Sequence, residues 1–244
     1  QEIWGDDDID ALISGVSGNF PESYMHRTRL SDFDGGEGNP PACTAAETDP
    51  LVACAVPLCD GEADLASCVL SNCGAEFDAA SADCQACAAG NLGLGNVPDI
   101  VAACTSGDAA EYVYDGHNGL LLLSKTPIQN TAMTNLDSFL TVRSILYGEV
   151  NGLGIACTHL TATLSDPVYN GEYESYGAEN AAQVDALIEY TETQTGNRPA
   201  VIAGDFNNGP AVGTDIVAAL PDNFARFEAA GWSDVSVDSG EALC

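Results

Sequence analysis

Two rhythms of apolar and polar positions run through the chain, one of helical period and one of strand period, and together they predict an α/β protein. Asp6, Asp7 and Asp8 stand before Ile9, Leu12, Ile13 and Val16, a spacing that predicts a helix with acids at the positive end of its dipole. Val184, Leu187, Ile188 and Thr191 share a second helical face, which should pack on a sheet. Residues 223–230 predict a short third helix, with Gly231 as its C-terminal cap before Trp232-Ser233-Asp234-Val235. Strand-like runs occupy residues 111–114, 120–124, 142–150, 152–159 and 200–205, and Asn151-Gly152 supplies the turn between the third and fourth.

Between the first helix and these strands the pattern changes. Residues 32–41 are rich in Gly, Asp and Pro and predict a loop. Residues 43–104 then carry eight of the ten cysteines, separated by Ala-rich spacers that suggest short helices. The domain reading is therefore one α/β unit formed by residues 1–42 and 105–244, interrupted by a cysteine-rich insertion over 43–104. Such a piece is expected to be stapled by disulfides and too small for a core of its own. Zinc is the competing reading, because Cys84-Gln85-Ala86-Cys87 has ligand-like spacing. No histidine lies in the insertion, and the even cysteine count favours disulfides, although spacing does not fix their connectivity. Cys157 and Cys244 remain as an outlying pair whose bridge would tie the chain end to the strands.

Composition then narrows the setting. The 244 residues are 45% hydrophobic, enough for one sizeable core, and no apolar run approaches the roughly 20 residues of a membrane-spanning helix. Disulfide-forming cysteines place the protein in an oxidising, extracellular setting. No Asn-x-Ser/Thr sequon adds to that reading. Six Lys and Arg face 37 Asp and Glu, a formal net charge of −31 at pH 7. A surface of that sign repels polyanions, which argues against long nucleic acid as a partner and fits a solubilising or salt-adapted exterior.

Candidate chemistry gathers at three places. Ala200-Val201-Ile202-Ala203-Gly204-Asp205-Phe206-Asn207 runs as a short apolar strand into a glycine-flanked turn, delivering a carboxylate and an amide two residues apart. Side chains at that spacing in an extended segment share a side, so Asp205 can hold a hard cation or activate water while Asn207 bonds a substrate oxygen. Cys157-Thr158-His159-Leu160 ends another apolar strand, and Gln1-Glu2 opens the chain. Asp115-Gly116-His117-Asn118-Gly119 precedes the strand that leads to Ser124-Lys125-Thr126-Pro127. Asn118 reads equally as a substrate-facing side chain and as part of a hairpin turn, and His117 reads as a solvent-facing turn residue.

In their order along the chain these segments resemble the endonuclease/exonuclease/phosphatase superfamily, the deoxyribonuclease-I-like metal-dependent phosphohydrolases. The resemblance implies a four-layered α/β sandwich, two mixed sheets with helices outside. It implies that Glu2, on a strand end, and Asp205 bind a divalent cation, magnesium or else manganese or calcium. Asp205 would also position the attacking water, Asn207 would hold a phosphate oxygen, and His159 would donate a hydrogen bond or proton to the phosphate or leaving group. The family's first metal-site Asn strand and its late Asp-His pair are missing, so the chain is expected to be an internal part of a longer molecule. The functional expectation is a secreted phosphodiesterase acting on a phosphoester of low charge. The alternative is an impaired relative that assembles through open sheet edges with a strand-donating partner.

Overall fold

A computed structural model of the chain describes residues 1–27, 41–62, 64–92, 96–106, 117–165, 167–211 and 216–235. The expected loop over 32–41 falls almost wholly, and the strand over 111–114 entirely, outside these residues, as does the Cys157–Cys244 bridge, since Cys244 is not among them. Among the described residues the architecture is α/β, with two sheets and helices.

The larger sheet has the order β3 (Gln129–Leu136), β4 (Arg143–Val150), β5 (Leu153–His159) and β6 (Ala200–Asp205). Its first three strands are antiparallel neighbours, and β5 to β6 is parallel. The expected β4–β5 turn is present: Asn151 and Gly152 adopt φ of 53° and 82°, the left-handed pair that a tight hairpin requires. The parallel step needs a crossover. Helix α6 (Tyr176–Thr195) supplies it, starting where Ser175 Oγ accepts the Ala178 N–H and ending at Gly196. Its Val184, Leu187, Ile188 and Thr191 are all buried, as their spacing predicts. Val184, Leu187 and Ile188 pack with Ile145 and Tyr147 of β4, Ala156 of β5 and Phe227 of α7 (Pro221–Ala229). Each large apolar side chain fully buried in this way contributes about 2 kcal/mol.

Strand residues alternate between faces, so Leu146 and Gly148 of β4 point away from α6. Two strands, β1 (Glu22–Tyr24) and β2 (Leu122–Ser124), form the smaller antiparallel sheet, and the Leu122 side chain lies against Gly148. Helix α1 (Asp6–Val16) buries Ile9 and has its three acids in the first turn, as expected.

The insertion forms α2 (Ala45–Cys59), α3 (Leu65–Asp78), α4 (Ala82–Gly90) and α5 (Val97–Ser106). Four disulfides hold it: Cys43–Cys84, Cys54–Cys73, Cys59–Cys68 and Cys87–Cys104. Cys84 and Cys87 thus belong to different bridges, which removes the zinc reading of that motif. One expectation is corrected, because the insertion does have its own core. Buried Leu51, Leu65, Phe77, Val97 and Ile100 surround half-cystines Cys43, Cys59, Cys73, Cys84, Cys87 and Cys104. The half-cystines themselves act as interior apolar residues, and a pattern that treats cysteine only as a staple misses this contribution. Asn170 Nδ2 donates to Ala80 O (2.8 Å), joining the insertion to the loop before α6.

A capping box opens α2. Glu47 Oε2 accepts from the Thr44 backbone N–H (2.8 Å) and hydroxyl (2.6 Å), while Oε1 accepts from the Ser81 N–H (3.0 Å) at the start of α4. Ser81 first, and then Thr44, hold the Glu47 carboxyl at about 2, well under its ordinary range. A depressed carboxyl favours the folded state fully above the unfolded pKa, and this contribution is lost as pH falls toward the folded value. Glu47→Ala should therefore lower stability at pH 7 by about 1 kcal/mol. Thermal melts from pH 7 down to pH 2 should show that difference shrinking through the acid limb. A pH-independent difference would mean that the carboxylate is not the stabilising form.

Candidate functional site

The parallel register of β5 and β6 pairs His159 with Asp205 at the C-terminal ends of both strands. The Leu160 N–H donates to Asp205 O (2.9 Å), carrying the pairing one step past the strand end. His159 Nε2 lies 4.0 Å from Asp205 Oδ2, with the imidazole buried and the carboxylate side chain 48% exposed. His159 Nδ1 is buried and makes no hydrogen bond among the described residues. Burial pushes the imidazole below the usual histidine range, the Arg143 charge pushes the same way, and Asp205 and Glu2 oppose them. The ring is thus neutral at pH 7, with one N–H to donate.

Asn207 differs from its extended expectation. β6 stops at Asp205, and Asn207 adopts φ of 49° in a turn. Its backbone N–H donates to Asp205 Oδ1 (2.9 Å), which fixes the carboxylate, and its Nδ2 donates to Leu160 O (2.8 Å). The amide nitrogen is therefore engaged in holding the β5 and β6 loops together.

The start of the chain reaches the same place. Gln1 Oε1 accepts from the Asp205 N–H (3.0 Å), and the Trp4 ring lies 6.5 Å from the His159 ring. Glu2 is exposed and its charge acts on His159. The expected strand carrying Glu2 is corrected: residues 1–5 are irregular, and Glu2 has φ of 62°. Ile3 donates one backbone bond to Gly119 O (3.2 Å), where a strand would carry a ladder.

Trp4 also touches Gly119, which has φ of 66° and where a Cβ would fall 2.6 Å from the ring. Asn118 is buried, and its Oδ1 accepts from the Leu120 N–H (3.1 Å), the geometry of an Asx turn. The strand after this turn, β2, pairs with β1, and the strand expected before it lies outside the described residues. His117 is only 1% exposed, which corrects its solvent-facing assignment. Its Nδ1 accepts from the Gly119 N–H (2.9 Å), and its Nε2 lies 3.8 Å from Asp6 Oδ1 on α1.

Sequence reasoning missed a polar stripe on α6 that positions these loops. Asn180 Nδ2 donates to Thr161 O (2.8 Å) and Phe206 O (2.9 Å), bracing the segments after His159 and after Asp205 against each other. Glu179, also buried, accepts from the Thr161 hydroxyl (2.6 Å), the Tyr169 hydroxyl (2.8 Å) and the Phe139 N–H (3.1 Å). Gln183 Oε1 accepts from the Thr161 N–H (2.8 Å). The available signal was polar residues sharing the face of Val184 and Leu187, where solvent-facing residues do not belong. Arg143 was also passed over, although bases are scarce in this chain.

Among the described residues no three His, Cys, Asp or Glu side chains group closely enough to hold a metal ion. The nearby carboxylates, Glu2 and Asp205, are too few for a closed protein cage. Two carboxylates could hold only a cation that keeps several of its waters, as magnesium does. Comparison with known proteins finds no matching family model and no matching curated protein.

Proposed function

We propose that the chain is a divalent-metal-dependent phosphodiesterase of the deoxyribonuclease-I-like type, built on a four-layered α/β sandwich and acting outside the cell. The observation that carries the proposal is the His159–Asp205 pair at the end of β5 and β6, with Gln1 and Asn207 bonded to the same aspartate. Segments far apart in the sequence, chosen for phosphoester chemistry, converge there.

In this reading Glu2 and Asp205 would hold magnesium, which would supply Lewis-acid stabilisation of charge on the phosphoryl group. Asp205, oriented by the Asn207 N–H, accepts a proton from the attacking water as its oxygen bonds to phosphorus and the P–O bond to the leaving group breaks, the leaving oxygen taking its proton from solvent. Neutral His159 donates its N–H to a phosphoryl oxygen, in a site shielded on one side by Trp4, where such a bond gains strength as charge builds. Asn207 offers Oδ1 to the attacking water.

The substrate class follows from charge. Arg27 pairs with Asp10, Arg198 with Glu149 and Arg226 with Asp185, so three of the six bases are tied up in ion pairs. Long nucleic acid needs a basic track along the backbone. A small or zwitterionic phosphodiester does not. Four disulfides support the extracellular assignment, and no helix among the described residues is long and apolar enough to cross a membrane.

The test is hydrolysis of bis-p-nitrophenyl phosphate by the purified protein with magnesium, manganese or calcium and with chelator. Turnover that requires the metal is expected. A second reading, a self-assembling extracellular module, draws on β6, which ends the sheet among the described residues and whose Val201 is 42% exposed. Absence of turnover with every metal, together with concentration-dependent polymers in sedimentation, would replace the enzyme by that module.

A further inference from the structure

The helical insertion contains a partly open cavity of about 100 Å³, walled by Leu51, Ala55, Leu65, Phe77 and Ile100, with Leu140 of the α/β unit also lining it. Thr48 has the one polar side chain among its described lining residues, and its hydroxyl donates to Thr44 O (3.2 Å). A water inside would lack the two to four polar partners that hold buried water. Protein interiors otherwise pack to the density of organic crystals, so helices free to move would close such a space. Here they are not free: Cys43, Cys84 and Cys104 line the cavity, and their bridges to one another and to Cys87 fix α4 and α5 against the start of α2. A dry apolar cavity of only about half again this size admits benzene. The surroundings select the other end of a ligand, because every charged residue from Cys43 to Cys104 is acidic.

We infer that the insertion binds the alkyl end of an amphiphile whose head group carries no net negative charge. Carboxylate and sulfate heads are repelled by the uniformly acidic charge of the insertion, and the covalently braced apolar wall is preorganised to take an alkyl group. This site is separate from the His159–Asp205 pair, and its test does not depend on hydrolysis.

Calorimetric titration of the disulfide-intact protein with 1-hexanol should show saturable binding of one molecule per chain, and hexanoate should bind at least about tenfold more weakly. Ala55→Leu, which fills the cavity, should cut hexanol affinity by about tenfold or more while raising Tm. Ala66→Leu, from a half-buried wall position, makes the same test if the first variant does not fold. Leu65→Ala should shift the preferred chain from hexanol toward octanol. No saturable hexanol binding, equal binding of hexanoate, or unchanged hexanol binding in a folded cavity-filled variant would each overturn the inference.

Discussion

Asp205→Ala should lower metal-dependent hydrolysis of bis-p-nitrophenyl phosphate by about 10³-fold or more, with the fold retained. The loss is that large because one side chain serves two proposed roles, cation ligand and acceptor of the proton from water. Retention of the fold follows from its surroundings. The carboxylate is half exposed, so the substitution removes little packing, and the backbone bonds to Gln1 and Leu160 do not involve the side chain. Only the Asn207 N–H loses its acceptor, at an exposed position where water replaces it. Thermal melts should move by a degree or two, in line with surface substitutions of about 0.5 kcal/mol. His159→Ala provides the comparison, since it removes a donor but no cation ligand and should leave the metal concentration for half-maximal rate unchanged. An Asp205→Ala protein that keeps its wild-type rate would remove the site from the sheet end altogether, whatever the protein's activity proves to be.

The sheet core and its hairpin were legible because their causes are local. Val184, Leu187 and Ile188 declare a helix face, Asn151-Gly152 declares a tight turn, and Gly231 marks the end of α7; each appears in the structure. The contacts around Asp205 have no local cause. Gln1 and Asp205 are 204 residues apart, and their hydrogen bond depends on where the chain's start happens to lie. The same holds for Glu2, whose expected strand required a neighbouring ladder that Ile3 and Gly119 do not build. Buried Glu179, Asn180 and Gln183 were hidden for another reason: a polar residue on a helix reads as solvent-facing unless its loop partners are known, and here Thr161, Phe139 and Phe206 satisfy them. The insertion's core was underestimated because half-cystines were counted as cross-links and not as buried volume.

Gly204→Ala should unfold the end of the sheet, and with it the site. Gly204 pairs with Thr158 in the parallel ladder and has φ of 151°, a conformation that L side chains rarely adopt. A Cβ there would fall 1.9 Å from Thr158 O and 2.9 Å from its carbonyl carbon, atoms of a backbone that cannot swing aside as a side chain would. Relief requires β5 and β6 to separate one residue before the His159–Asp205 pair, so stability and activity should fail together. A cost of about 3 to 5 kcal/mol is expected, the range in which backbone clash and lost pairing combine. For a chain of this size that is a fall in Tm of about 10 °C or more. Gly15→Ala in α1 is the matched control, because its Cβ meets nothing within 4 Å and a helical glycine gains stability on this change. A Gly204→Ala protein that melts with the wild type while retaining turnover would show that the two strands do not approach as closely as their register requires. A protein that melts early but regains turnover below its lowered Tm would separate the pairing of the strands from the chemistry at their ends.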